Sequence, residues 1–108
     1  TVVLSVLSPI DDEYMCDICL WPDQTILHAK SWLRLRCPGL KVEKISVLKE
    51  RPKRGPRSVP STWVVPDKTF IRDSPFKDGD ELTYMYVGNV EDDVDWAAWR
   101  TRQQAQAP

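Results

Sequence analysis

Three cysteines and the only histidine are the residues of this sequence best suited to binding a metal. They are Cys16, Cys19, His28 and Cys37, with the spacing C-x2-C-x8-H-x8-C, and thiolate and imidazole ligands of this kind suit zinc. Cys16 and Cys19 lie in a predicted strand, however, where residues three apart point to opposite faces. We therefore predict no metal site and interpret Cys19 and Cys37 as small buried thiols. A zinc-stabilised small domain is the alternative.

Catalytic chemistry has little support in the residue types. With one His and four Gly, the chain lacks a Gly-rich phosphate loop and a nucleophile placed between glycines. The Cys16-x-x-Cys19 pair also lacks the helix N-terminus that makes such thiols reactive in redox motifs. We predict that the protein is not an enzyme and has no cofactor.

Charged residues are unevenly distributed along the chain. Lys and Arg number 15 and Asp and Glu 16, for a net charge of −1, so bulk charge predicts neither nucleic acid nor membrane affinity. A long Pro-rich loop at 50–61 is nevertheless basic; with the strand before it, it supplies Lys49, Arg51, Lys53, Arg54 and Arg57. This basic loop is either a solvated insertion or a binding site. As a binding site it would hold an acidic peptide, such as a tubulin tail, or nucleic acid phosphates. Because the net charge of the chain is near neutral, a nucleic-acid-binding module is kept only as an alternative function.

Five tryptophans are a high count for 108 residues: Trp21, Trp32, Trp63, Trp96 and Trp99. Trp96 and Trp99 are three apart and share one face of a predicted helix. One interpretation is a satellite core, formed by an acidic C-terminal extension folding over the domain. The other is an interface, because Trp and Tyr are enriched at interface centres.

The elements that must position these residues follow from periodicity. Residues 1–7 and 14–20 read as an antiparallel hairpin. A helix is predicted within 21–39, with Asp23 or Thr25 as the cap and Pro38 and Gly39 as the stop. Its core face carries Ile26, Ala29, Leu33 and Cys37, which places Trp32 at the rim and Leu27 outward.

Three further strands, at 41–50, 62–65 and 81–87, complete the pattern, and a short helix is expected to begin near Asp92 or Asp93. This order predicts an α+β domain in which one helix crosses a four- to five-stranded mixed sheet. No apolar run approaches the ~18 residues of a membrane span. With no visible signal peptide, we expect reduced thiols and a cytoplasmic location, and we expect the chain to be a fragment of a longer protein.

Two segments resemble ubiquitin-like proteins: PDQTILHAKSWL at the helix, and DKTFIRDSPFKDGDELTYMYV at the closing strand. The resemblance implies a β-grasp domain over 1–90, followed by the acidic, Trp-bearing extension at 91–108. Ubiquitin-like modifiers end in Gly-Gly, whereas Gly88 and Asn89 follow the last strand here, so covalent conjugation is not expected. The resemblance also implies that partners bind the open sheet face, on which Met85 and Ser46 lie.

Alternation in the last strand sends Tyr84 inward and Met85 outward if Leu82 faces the helix, and a one-residue slip would reverse this. A narrower resemblance is to the N-terminal ubiquitin-like domains of trypanosome flagellar pocket collar scaffold proteins. It is carried by Trp63-Val64, by Tyr84-Met85-Tyr86 and by Trp96, and it implies a peptide-binding aromatic groove with a basic rim.

We therefore expect a non-catalytic protein-protein interaction module of a scaffold or cytoskeletal protein, associated with the cytoskeleton. Its partner is expected to be a peptide of a cytoskeletal or adaptor protein, with no membrane involved. The expected contact residues are Trp63, Tyr84, Met85, Tyr86, Trp96, Lys49, Arg51, Lys53, Arg54 and Arg57.

Overall fold

Five strands and two helices are formed within residues 1–51 and 61–106, which are the residues that the computed structural model describes. In chain order they are β1 (Val2–Leu7), β2 (Tyr14–Leu20), α1 (Ile26–Arg36), β3 (Ile45–Arg51), β4 (Ser61–Val64), β5 (Glu81–Tyr86) and α2 (Trp96–Gln106). Neither helix of this part of the chain is long and apolar enough to cross a membrane.

The strands form one mixed sheet in the order β2-β1-β5-β3-β4. The central pair, β1 and β5, is parallel, and the other three pairs are antiparallel. A parallel pair requires a crossover connection, and α1 lies in the segment between the first hairpin and the remaining strands. The expected α+β class, with a five-stranded mixed sheet and two helices, is confirmed.

Helix α1 begins and ends where its sequence signals predict. Thr25, not Asp23, is the N-cap, and its backbone N–H donates to Nδ1 of His28 at 3.1 Å. The first free amides of the helix, those of Ile26 and Leu27, donate to carbonyls of the loop after β4 at 3.0 and 3.1 Å. These bonds satisfy donors that a helix start leaves unpaired, and they tie the helix to that loop.

The core lies between α1 and one face of the sheet. Ile26, Ala29 and Leu33 are fully buried there, whereas Leu27 is 46% exposed and Trp32 is partly buried against the core. Lys30 is also buried on this helix, and its Nζ pairs with Asp67 at 2.5 Å. The expected phase of the helix is confirmed.

A bulge in β2 places two consecutive residues, Met15 and Cys16, on the buried side of the strand. Val6 pairs with Cys16 but Leu7 pairs with Tyr14, so Met15 is an extra residue in the ladder. A bulge of this kind breaks strict alternation, and both Met15 and Cys16 turn inward. The prediction that Cys19 is buried is wrong, because the buried thiols are those of Cys16 and Cys37 and Cys19 is exposed.

Two elements begin later in the structure than the sequence predicts. Strand β3 begins at Ile45 instead of residue 41, because Val42–Lys44 forms a 3-10 turn. The last helix begins at Trp96, because Val90–Asp92 forms another 3-10 turn and Asp95 provides the cap, with its Oδ1 accepting from the N–H of Ala98 at 3.1 Å. Acidic residues at 91–93 therefore precede the helix and do not begin it.

Two leucines of α1 provide a matched test of this packing. Leu33 is fully buried and Leu35 is 72% exposed. We expect Leu33→Ala to lower the free energy of unfolding by about 2–5 kcal/mol, since it leaves a cavity, and Leu35→Ala to change it by less than about 0.5 kcal/mol. Urea denaturation followed by tryptophan fluorescence measures both, and equal effects of the two variants would contradict the packing of α1.

Candidate functional site

The sheet has one covered and one open face. Side chains on the covered face point toward α1 and are buried, among them Leu4, Val6, Ile18, Leu20, Ile45, Val47, Leu82 and Tyr84. The alternate strand positions form the open face, and all of them are exposed or half-buried: Val3, Ser5, Asp17, Cys19, Ser46, Leu48, Thr62, Val64, Glu81, Thr83 and Met85. The open face is therefore the accessible side of the described sheet.

An apolar strip made of Leu48, Val64 and Met85 crosses the open face. Leu48 pairs directly with Val64 on one side and with Thr83 on the other, and Met85 pairs with Ser46 one step along the same strands. Val64 and Met85 are each 52% exposed. Leu48 and Val64 are directly paired and so within contact distance, and Met85 is diagonal to Leu48, a separation that a long side chain can span. The three side chains therefore form one apolar strip.

Parity along β5 agrees with the expected alternation. Tyr84 is 3% exposed and Met85 is 52% exposed, and Ser46 lies opposite Met85 on the open face. Leu48 was not among the expected contact residues, although it shares the parity of Ser46, two residues earlier in β3. That spacing is the signal that identifies it.

The C-terminal extension packs on the covered side. Trp99 is 3% exposed, and its indole N–H donates to the carbonyl of Arg36, the last residue of α1, at 3.0 Å. The ring centroids of Trp96 and Trp99 are 5.1 Å apart, and the Arg100 guanidinium carbon lies 5.4 Å from each. The extension thus joins the main core and leaves the apolar strip uncovered.

A carboxylate anchors this extension to the end of the sheet. The hydroxyl of Tyr86 donates to Oδ2 of Asp93 at 2.7 Å, and Nζ of Lys44 donates to the same oxygen at 2.9 Å. The backbone approaches closely here, since a Cβ on Gly39, whose φ is +105°, would lie 2.6 Å from the Asp93 carbonyl oxygen. Hydrogen bonds from Tyr86 and Lys44 hold the pKa of Asp93 below its usual value.

Three of the expected contact residues are buried, which corrects their assignment to a binding surface. Tyr84, Tyr86 and Trp96 are 3%, 8% and 9% exposed. Tyr84 points inward and donates to Sδ of Met15 at 3.4 Å, and burial raises its pKa. Tyr86 and Trp96 hold the extension in place. Their aromatic rings stabilise the domain and are not accessible to a partner.

Trp63 and Lys49 lie at an edge of the covered face. They are cross-strand partners on β4 and β3, and Trp63 is partly buried against the core. Nζ of Lys49 pairs with Asp80 at 3.4 Å and lies 5.1 Å from the centroid of the Phe76 ring. These two residues are therefore separated from Met85, which lies on the other side of the sheet.

The four arginines and lysines that follow Lys49 complete the expected basic group. Arg51 ends β3, and Lys53, Arg54 and Arg57 lie outside the described residues. Their contribution to binding stays a prediction, as does the nucleic acid alternative that depends on them.

The four candidate zinc ligands do not converge. Cys16 is buried under the sheet, Cys19 is exposed on the open face, and Nδ1 of His28 accepts the Thr25 amide. Burial raises the pKa of the Cys16 and Cys37 thiols to about 11. No group of three His, Cys, Asp or Glu residues suited to a metal is present in the described ranges.

Comparison with known proteins finds a likeness of fold. Neither a family model nor a curated protein matches the sequence. A crystal structure of ATBAG1 in complex with HSP70 is similar over 97% of this chain, with a TM-score of 0.59 and 14% sequence identity. The match covers 49% of that chain, so this chain spans about half its length. At this identity the likeness shows the fold alone, and it gives no support to the narrower resemblance to trypanosome scaffold domains.

The Asp93 contacts predict an acid-dependent loss of stability. Because the pKa of Asp93 is lowered in the folded chain, its stabilisation is complete above the unfolded-state pKa of about 3.9 and is lost as the pH falls through the lower folded value. We expect Asp93→Asn to lower the midpoint of thermal unfolding at pH 7, and the difference from the parent chain to shrink below about pH 4.

The matched control is Asp92→Asn, because Asp92 is the exposed neighbour of Asp93. Thermal unfolding between pH 3 and pH 7, followed by tryptophan fluorescence, measures all three chains. A pH-independent difference, or an equal effect of the two variants, would contradict the anchoring role of Asp93.

Proposed function

We propose that this chain is a non-catalytic, ubiquitin-like β-grasp module that binds another protein through the open face. The observation that carries the proposal is the apolar strip, which stays accessible although an extension with two large aromatic residues is available to cover it. Leu48, Val64 and Met85 lie on the side of the sheet opposite both α1 and the extension.

Strand order supports the β-grasp assignment. A sheet ordered β2-β1-β5-β3-β4, with a parallel central pair and a helix across one face, is the arrangement that the ubiquitin-like segments imply. One structure that resembles this chain is that of ATBAG1 in complex with HSP70. A protein partner in that complex is in keeping with an interaction module.

The chemistry of the strip favours a protein ligand. Leu48, Val64 and Met85 are apolar side chains on an open sheet face, and burying them under a partner removes apolar surface from water. Met85 is suited to such a contact because its unbranched, polarisable side chain adapts to irregular surfaces. Affinity is therefore assigned to these aliphatic residues instead of the buried aromatic ones.

We propose a cytoplasmic location for the module. The three cysteines are free, which is in keeping with a reducing compartment and so with a cytoplasmic location. A module of this size with one accessible face suits a scaffold or adaptor protein, where it would hold a segment of its partner.

The open face is tested by partner recovery with surface variants. We expect Met85→Asp and Val64→Asp to reduce recovery of a specific partner from a cell extract at least about tenfold, because each places an unpaired charge in a desolvated contact. The unfolding midpoint should change little, since both side chains are half exposed. Affinity purification with quantitative mass spectrometry provides the measurement.

Leu35→Asp is the control, because Leu35 is 72% exposed on the outer side of α1. A partner that is lost with both open-face variants and retained by this control supports the proposal. Retention of every recovered protein by Met85→Asp and Val64→Asp would overturn it.

A further inference from the structure

We infer that the open face takes a basic partner segment, one that carries Lys or Arg beside apolar anchors. This inference rests on the proposed function and adds the charge of the partner to it. Acidic side chains border the apolar strip, and the lysines of and beside β3 point away from it.

An acidic row lies beside the apolar strip. Ser5 of β1 pairs with Asp17 of β2 on one side and with Glu81 of β5 on the other. Both acidic side chains are exposed, and the Asp17 carboxylate accepts a hydrogen bond from the Ser5 hydroxyl at 3.2 Å. Thr83 of the same strand follows Glu81 with the same parity and pairs with Leu48, so the acidic row and the strip are adjacent.

The lysines of β3 and of the turn before it point away from the open face. Lys49 is the only cation among the strand residues whose side chains are described, and it pairs with Asp80 on the covered side. Lys44, just before β3, pairs with Asp93 of the extension. Within the described part of the chain, neither Asp17 nor Glu81 forms an ion pair with Lys or Arg.

The result is an apolar surface with negative charge on one border. Arg36 at the end of α1 lines one cavity together with Asp17, but it forms no ion pair with that carboxylate and lies over the Trp32 ring. A partner that places carboxylates over this row would meet like-charge repulsion, whereas Lys or Arg there would gain attraction and faster association. Charge complementarity thus selects a segment with basic residues on one side of its apolar anchors. Because the row is exposed, the effect should be screened by salt.

Two synthetic peptides test this charge preference. Both carry the same Leu and Val anchors on one side of an amphipathic sequence, and they differ only in having Lys or Glu at the flanking positions. Each is titrated into the isotope-labelled 108-residue chain, and amide NMR shifts report the affinity and the site. We expect the Lys peptide to shift Ser46, Leu48 and Met85 and to bind about tenfold more tightly than the Glu peptide at low salt.

Neutralising the acidic row isolates its contribution. In the double variant Asp17→Asn, Glu81→Gln, we expect the Lys peptide to lose its advantage over the Glu peptide while the same open-face amides still shift. The control double variant Glu91→Gln, Asp92→Asn removes the same charge from the extension and should keep the preference. High salt should reduce the preference of the parent chain for the Lys peptide.

The outcomes separate this inference from the proposed function. Equal binding of both peptides at the open face, or tighter binding of the Glu peptide, would overturn the charge preference and leave the binding surface intact. Peptide-induced shifts confined to residues away from the open face, or no shifts with either peptide, would contradict both.

Discussion

Side-chain alternation along a sheet that is covered on one side only is the constraint on which the rest of the structure depends. Every inward position of β5 meets the core, so each outward position is left to solvent. Helix α1 covers the inner face of the sheet and packs against it with Ile26, Ala29 and Leu33. The extension adds Trp96 and Trp99 to that same core. Burial of the aromatic side chains on one side and exposure of Met85 on the other therefore have a single origin.

Features encoded by short-range rules could be predicted from the sequence. The phase of α1 follows from apolar spacing, and the parity of β5 follows once Leu82 is placed inward. The burial of Met15 next to Cys16 could not be predicted, because the bulge at Met15 depends on the register between two strands and not on the residues of one. The exposure of Cys19 follows from the regular alternation of Cys16, Ile18 and Leu20, which are all buried. The start of α2 was also missed, since the choice of Asp95 over Asp92 or Asp93 as its cap is made together with the packing of Trp99 against α1.

The candidate site illustrates the same limit. Aromatic residues were expected at the binding surface because such residues dominate many interfaces, yet Tyr84, Tyr86 and Trp96 are buried. Deciding between a core and an interface role requires knowing which side of the sheet the extension covers. That is a tertiary contact, fixed here by the hydrogen bonds of Asp93 with Tyr86 and Lys44. Once it is known, the uncovered face is seen to carry the apolar strip, with the acidic side chains of Asp17 and Glu81 beside it.

Methionine oxidation tests the one-sided covering most directly, because the chain has two methionines, Met15 at 4% exposure and Met85 at 52%. Treatment of the folded chain with dilute peroxide, followed by peptide mass spectrometry, compares their rates within one molecule. The account predicts that Met85 is oxidised much faster than Met15, and that a bound partner protects Met85. Equal rates in the folded chain, or faster oxidation of Met15, would contradict it.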